Sequence, residues 1–155
     1  MAERFSQKNL RVRPSSDEEK IVTNAKKHFE KTLIEISGEL VGSVAVSEYV
    51  VKYVSGIVRS TRPKDTSAPD YVKQMVDWGA GPRAGQFLIQ GGKAMAAMDG
   101  RFSVSLEDVR RIAVPVLRHR IATNFQAQAE GLTSESIIER LIQEFPEPEI
   151  PKLVK

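Results

Sequence analysis

Apolar residues recur every three or four positions along most of the chain, a spacing that predicts amphipathic helices. Ser16 followed by Glu19 has the form of a capping box, so the first helix is predicted over 17–36, with Gly38 ending it. Ser47 is the predicted N-cap of a second helix. The helices predicted after it span about 69–77, 83–98, 106–118 and 133–145.

The same spacing predicts which side chains are buried. The first helix would bury Ile21, Ala25, Phe29, Leu33 and Ile36, and the second would bury Val50, Val51, Val54, Ile57 and Val58. Across the chain the predicted core includes Phe29, Val54, Ile57, Phe87, Met95, Val109, Ile112 and Leu117. The pattern therefore predicts an all-α fold, a helical bundle with one or two very short strands.

Composition limits the function classes. A chain of 155 residues with 41% hydrophobic content can form one domain with a sizeable core. The net charge of +3 does not indicate nucleic acid, and the arginines at 110–111 and 118–120 fall on several helix faces without interleaved aromatic residues. The chain has no cysteine, no leader-like apolar segment and no membrane-length apolar run. The sequence predicts a cytoplasmic protein with neither a nucleic-acid partner nor a membrane span.

Motifs for unaided chemistry are missing. The stretch "QFLIQGGKAM" approaches a phosphate-binding loop, but Phe87 stands where the first glycine is needed and Ala94 where a metal-binding hydroxyl is needed. Its glycines are predicted to be helix-packing positions instead. The two histidines, His28 and His119, lie on different predicted helices, so no metal site is predicted.

Arg83 is the candidate binding residue. In "DWGAGPRAGQFLIQ", residues 77–90, Pro82 suits the first turn of a helix because its φ angle is already helical and it has no N–H to satisfy. Arg83 would then lie in that first turn, where unpaired backbone N–H groups and the helix dipole favour an anion. Its guanidinium adds donors whose geometry matches phosphate oxygens. The alternative is a solvated arginine at a helix start.

The stretch "GAGPRAGQFLIQGGKAMAAMDGRFSVSLEDVRRIAVPVLRHRI" resembles the C-terminal lid subdomain of the MoxR-type AAA+ ATPases. The shared motifs are Gly-x-x-Pro-Arg-Ala, a helix of small residues, G-R-x-x-V-x-x-x-D-V and the ending "VLRHR". The resemblance continues through "GLTSESIIERLIQEFPEP" and upstream through "RVRPSSDEEKIV", covering about residues 3–148. It implies a remnant of the ATPase core at 1–14, a lid helical domain at 15–148 and a disordered tail at 149–155.

The resemblance also implies site residues and cofactors. Gly81, Pro82 and Arg83 match the nucleotide-binding segment, with Arg83 as the sensor-2 arginine that reaches the γ-phosphate of ATP. Arg4, in "ERF", matches an arginine in a region that supplies the arginine finger to the next subunit, although Glu3 replaces the usual Asp. ATP and Mg²⁺ would be bound by a core with Walker A and B motifs, which this chain lacks. The chain is therefore expected to be a piece of a larger ATPase and inactive alone.

The partners implied by the resemblance are the ATPase core, neighbouring subunits of a hexameric ring, and client proteins that include von Willebrand factor A domains. Hydrolysis would be coupled to chaperone-like remodelling or maturation of those clients. A stand-alone helical adaptor domain without ATPase activity is the alternative that also explains the missing phosphate loop.

Overall fold

The structure is a computed structural model that describes residues 16–148. The chain divides into two compact units, residues 1–38 and 39–155. The elements are α1 (Ser16–Ser43), α2 (Glu48–Ser60), α3 (Asp70–Met75), β1 (Val76–Trp78), α4 (Pro82–Met98), α5 (Leu106–Leu117), β2 (Ala122–Thr123), α6 (Phe125–Ala129) and α7 (Ser134–Glu144). The predicted all-α bundle with very short strands is confirmed. Residues 1–14, with Arg4, and the tail at 149–155 lie outside the described residues.

Helix α1 is longer and more exposed than predicted. It passes through Gly38 and ends at Ser43, because a glycine costs a helix only about 1 kcal/mol and does not by itself end it. Ile21, Phe29 and Ile36 are 68%, 64% and 57% exposed, so their assignment to the core was wrong. The spacing of apolar residues predicts an apolar stripe on the helix, but it does not predict whether another element packs against that stripe. The predicted capping side chain of Ser16 lies outside the described side chains.

Helix α2 supplies one side of the core in the second unit. Ser47 caps it as predicted, its hydroxyl accepting a hydrogen bond from the backbone N–H of Val50 at 3.3 Å. The predicted buried face is confirmed except at Val51, which is 43% exposed. The core also confirms four residues predicted across the chain: Val54, Ile57, Val109 and Leu117.

Helix α4 buries a face of mostly small residues against α5. Its buried positions are Ala84, Leu88, Gly92 and Ala96, spaced by four residues. Phe87 is 45% exposed, so its prediction as a core residue was wrong, and Leu88 is buried instead. A Cβ atom added to Gly91 would lie 2.5 Å from Cδ1 of Ile112 on α5, which confirms the predicted helix-packing role of this glycine. Met95 and Ile112 are half-buried.

The turn between α4 and α5 is closed by an ion pair whose carboxylate is buried. Arg101 donates from Nη1 and Nη2 to the two carboxylate oxygens of Asp108 at 2.9 and 2.5 Å. Asp108 also accepts from the backbone N–H and the hydroxyl of Ser105, and these two residues form a capping box at the start of α5. Gly100, with φ of 69°, allows the reversal.

Residues 119–132, which lie between two predicted helices, contain β2 and α6. Strand β2 pairs antiparallel with β1, so that Val76 lies opposite Thr123 and Trp78 opposite Ala122. The signal for α6 was local: the side chain of Asn124 accepts a hydrogen bond from the N–H of Ala127 at 2.9 Å and caps the helix.

The segment after α7 returns to α2. The Phe145 ring contacts the Tyr53 ring edge-on with centroids 5.6 Å apart, and Glu147 accepts from Nη2 of Arg110 at 2.6 Å. These contacts connect the end of the described chain to the core.

Candidate functional site

Arg83 lies in the first turn of α4, as predicted. Pro82 is the first helical residue, and Gly81 is an extended N-cap with φ of −78° and ψ of 172°. No side chain caps this helix. Within residues 16–148 the exposed Arg83 guanidinium has no hydrogen bond or ion pair. The helix start therefore presents the exposed Arg83 guanidinium beside an uncapped first turn, an arrangement that suits an oxyanion.

The segment that leads into α4 is held by the end of α2. The N–H of Ala80 donates to the hydroxyl of Thr61 at 2.9 Å, and the Ala80 carbonyl accepts from Nε of Arg62 at 2.8 Å. A Cβ atom on Gly79 would lie 2.3 Å from the Thr61 carbonyl oxygen, so this residue must be glycine for the two segments to approach. A Cβ atom added to Gly81 would meet nothing within 4 Å. The two glycines therefore have different roles.

A surface cavity of about 300 Å³ opens beside this segment. Arg62, Lys64, Asp77 and Trp78 contribute side chains to its lining. Trp78 is 74% exposed, which leaves an indole face open to solvent. Two cations and one carboxylate line the cavity, so its net charge is positive. The N-terminal end of the α4 helix dipole, beside it, is positive as well.

The loop that carries Lys64 is ordered by Asp65. Its carboxylate accepts from Nε and Nη2 of Arg59 at 3.1 and 3.2 Å and from the backbone N–H of Ser67 at 3.0 Å. These bonds favour the charged carboxylate and lower the pKa of Asp65. The cation at position 64 thus lies on a loop that Asp65 connects both to Ser67 and to Arg59 at the end of α2.

Comparisons with known proteins identify the family to which this part of the chain belongs. The family described as the AAA lid domain matches residues 70–141. The protein named Chaperone MoxR1 of Mycobacterium tuberculosis is 31% identical over 112 residues, which cover 72% of this chain and 30% of that protein. This chain carries a MoxR-type AAA+ lid. A predicted ATPase from Cytophaga hutchinsonii, known from its crystal structure, matches the lid with a TM-score of 0.66 and 31% identity. That match covers 72% of this chain and 34% of the other.

The chain spans about a third of the length of these relatives. Gly81, Pro82 and Arg83 all fall inside the matched lid, whereas Arg4 lies outside both the match and the described residues. Among the described residues of the lid, no three His, Cys, Asp or Glu side chains come together as a metal site would require. None of the helices in that part of the chain is long and apolar enough to cross a bilayer.

Three of the basic residues weighed earlier as a nucleic-acid surface, Arg110, Arg111 and Arg120, make contacts among the described residues, whereas Arg118 is exposed. Arg110 bonds Tyr53 and Glu147, and Arg111 lies 3.3 Å from a carboxylate oxygen of Asp99. The guanidinium carbon of Arg120 lies 4.8 Å from the centroid of the Phe87 ring. These contacts account for three of the four arginines as parts of the bundle surface.

Sequence reasoning missed Thr61, Arg62 and Trp78. The sequence "STRP" reads as the end of a helix followed by a turn, and nothing within it indicates contact with a residue 18 or 19 positions later. The exposed Trp78 directly precedes the glycine segment and was the one signal that could have been used.

Proposed function

We propose that this lid closes over ATP bound by an ATPase core outside the chain, with Arg83 as the sensor-2 residue that donates to the γ-phosphate. The observation that supports the proposal is an exposed guanidinium, without a partner among residues 16–148, at the uncapped start of α4. A side chain that stabilised only the lid would be expected to have a partner within it. A phosphate oxygen fits both the fork of donors and the helix start.

The coupling follows from the bond itself. If Arg83 donates to a phosphate held by the core, then the orientation of the lid depends on whether that phosphate is present. Gly81 and Pro82 contribute backbone close to the same phosphate. Loss of the phosphate removes a charge-assisted contact and releases the lid.

The remaining parts of the proposal rest on family membership. ATP and Mg²⁺ would be held by the core, and the subunits would assemble as a hexameric ring in which Arg4 is part of the finger region offered to a neighbour. The work performed would be chaperone-like maturation of cytoplasmic client proteins, including those with von Willebrand factor A domains. The name of the relative, Chaperone MoxR1, supports this class of activity.

The test replaces Arg83 in the full-length ATPase that contains this lid. Arg83→Ala is expected to lower the rate of ATP hydrolysis roughly a hundredfold, because one preorganised donor at developing charge contributes on the order of 2–4 kcal/mol. Arg83→Lys should recover only part of the rate, since an ammonium keeps the charge but loses the planar fork. The melting temperature should barely change in either variant.

Arg118→Ala is the matched control, because Arg118 is also an exposed arginine at a helix end but lies at the end of α5. Its hydrolysis rate is expected to equal that of the wild type. Unchanged hydrolysis in Arg83→Ala would contradict the proposal and leave Arg83 as a solvated side chain.

A helical adaptor without ATPase activity is the second candidate. The observation that favours it is the exposed apolar stripe of α1, with Ile21, Phe29 and Ile36 all more than half exposed. An adaptor would retain its protein partner in Arg83→Ala, and its parent protein would not hydrolyse ATP.

A further inference from the structure

We infer that Thr61 and Arg62 are positioning residues for Arg83, acting through the backbone of Ala80. This inference rests on the proposed function of Arg83. Arg83 has no partner among the described residues, so no side-chain contact fixes the direction in which it points. The direction must come from the backbone that leads into α4.

Ala80 is the point where that backbone is held. Its side chain is fully buried, and so is the hydroxyl-bearing side chain of Thr61, at 0% and 1% exposure. The Thr61 hydroxyl accepts from the Ala80 N–H at 2.9 Å and donates to the carbonyl of Val58 at 2.7 Å, so its own direction is determined by α2. Nε of Arg62 donates to the Ala80 carbonyl at 2.8 Å. Both main-chain polar groups of one residue are therefore bonded to consecutive side chains.

The residues on either side of Ala80 explain why this matters for Arg83. Gly79 lies so close to the backbone of Thr61 and Arg62 that it cannot shift toward α2, while Gly81 has open space around it. Without the two bonds, Gly81 would let the first turn of α4 pivot, because glycine has the least restricted backbone. With them, Pro82 starts the helix in one direction and Arg83 follows.

Thr61→Val tests the hydroxyl bond. Valine has the shape of threonine but leaves the buried N–H of Ala80 without an acceptor. In the full-length ATPase, Thr61→Val is expected to lower kcat about tenfold or more with little change in KM, because a misdirected donor affects the chemical step. Thr61→Ser, which keeps the hydroxyl, should restore kcat to within about twofold of the wild type.

Ser60→Ala is the matched control. Ser60 is also 1% exposed at the end of α2, and its hydroxyl donates to the carbonyl of Ser67 at 3.2 Å rather than to Ala80. Its melting temperature should fall about as much as that of Thr61→Val, with kcat unchanged. A loss of kcat in Ser60→Ala equal to the loss in Thr61→Val would overturn the inference, because both bonds would then only stabilise the fold.

Arg62 offers a second, independent pair of variants. Glutamine places a nitrogen donor at the position of the arginine Nε, whereas methionine places a methyl group there. Arg62→Gln is therefore expected to keep most of kcat, and Arg62→Met to lose it to the same extent as Thr61→Val. Equal kcat in the two Arg62 variants would contradict a role for the Nε bond.

The double variant Thr61→Val/Arg83→Ala separates this inference from the proposed function. If Thr61 acts through Arg83, the double variant should hydrolyse ATP no more slowly than Arg83→Ala alone. A further loss equal to that of Thr61→Val in the wild-type background would overturn the positioning role. A normal rate in Arg83→Ala alone would instead overturn the proposed function, and a normal rate in Thr61→Val alone would overturn only this inference.

Discussion

The ion pair between Arg101 and Asp108 should contribute most of its stability through the buried carboxylate. Asp108 is 1% exposed, whereas the side chain of Arg101 is 38% exposed. Arg101 hydrogen-bonds the charged carboxylate and lowers the pKa of Asp108 from 3.8 to about 2, with further help from Ser105. Asp108→Asn keeps the size of the side chain but removes its charge.

The magnitude follows from that pKa. A difference of nearly two units between folded and unfolded states corresponds to about 2 kcal/mol of stability above the unfolded pKa. Breaking a fully buried pair costs about 3–5 kcal/mol, but the guanidinium freed here reaches water, which reduces the loss. Asp108→Asn is therefore expected to lower the free energy of unfolding by about 2 kcal/mol and the melting temperature by roughly 4–8 °C.

The sign of the pH dependence follows from a lowered pKa. The contribution of Asp108 is complete above about pH 5, and it is lost as the pH falls toward 2, because the unfolded state, in which the pKa of this carboxyl is higher, takes up the proton first. Urea denaturation of wild type and Asp108→Asn between pH 7 and pH 2 should give a stability difference that shrinks over that window. The other carboxylates titrate in both proteins and cancel in the difference.

Asp99→Asn is the control for the surface. Asp99 accepts from the same guanidinium at 2.9 Å but is 42% exposed, so its removal should cost only a small fraction of the loss in Asp108→Asn. A stability difference for Asp108→Asn that stays constant down to pH 2 would refute the charge-based reasoning. It would assign the effect to packing or to the lost cap of α5.

Two further predictions use neighbouring residues as matched pairs. Leu88→Ala should lower the free energy of unfolding, measured in urea, by about 2–5 kcal/mol. Phe87→Ala should lower it by much less, because only Leu88 is fully buried. Equal losses would contradict the assignment of the buried face of α4. Gly79→Ala should lower the melting temperature clearly more than Gly81→Ala does, because only a Cβ atom at position 79 would collide with the backbone of Thr61. Similar melting temperatures would show that the segments of Gly79 and Thr61 can separate at little cost.

Helix starts were the features most accurately predicted from the sequence. Ser47, Ser105 and Thr133 each accept a hydrogen bond from an N–H three residues later. Such an interaction is decided within one turn of the chain, so the residue types identify it without any tertiary information. The helix that begins at each of these caps was predicted to within a residue or two of its observed start.

Burial was predicted less well because it depends on what the helix meets. Phe29 belongs to a regular apolar stripe that the described residues leave exposed. Phe87 flanks the line of Ala84, Leu88 and Gly92 that α4 turns toward α5. The buried face consists mainly of small residues because the two helices approach closely. The large apolar side chain of Phe87 was therefore wrongly assigned to that face.

The candidate site also contains residues that local sequence predicts and residues that only tertiary contacts reveal. Pro82 and Arg83 could be found from residue types at a helix start, a local signal. The bonds from Thr61 and Arg62 to Ala80 join segments that are 18 and 19 residues apart, and the spacing of apolar residues carries no information on such contacts. Their role became visible only when the end of α2 and the start of α4 were placed together.

These contacts also decide how the lid would respond to a pull on Arg83. The start of α4 is bonded to α2 through Ala80, its middle is bonded to the end of α1 by Lys93, whose Nζ donates to the Gly42 carbonyl at 2.9 Å, and the turn after it is closed by Arg101. A helix attached at three places along its length does not slide easily past its neighbours, because several bonds would have to break together. A phosphate bonded to Arg83 would therefore move α4 together with the elements bonded to it, and the most flexible point in that connection is Gly81, whose backbone the bonds to Ala80 restrict.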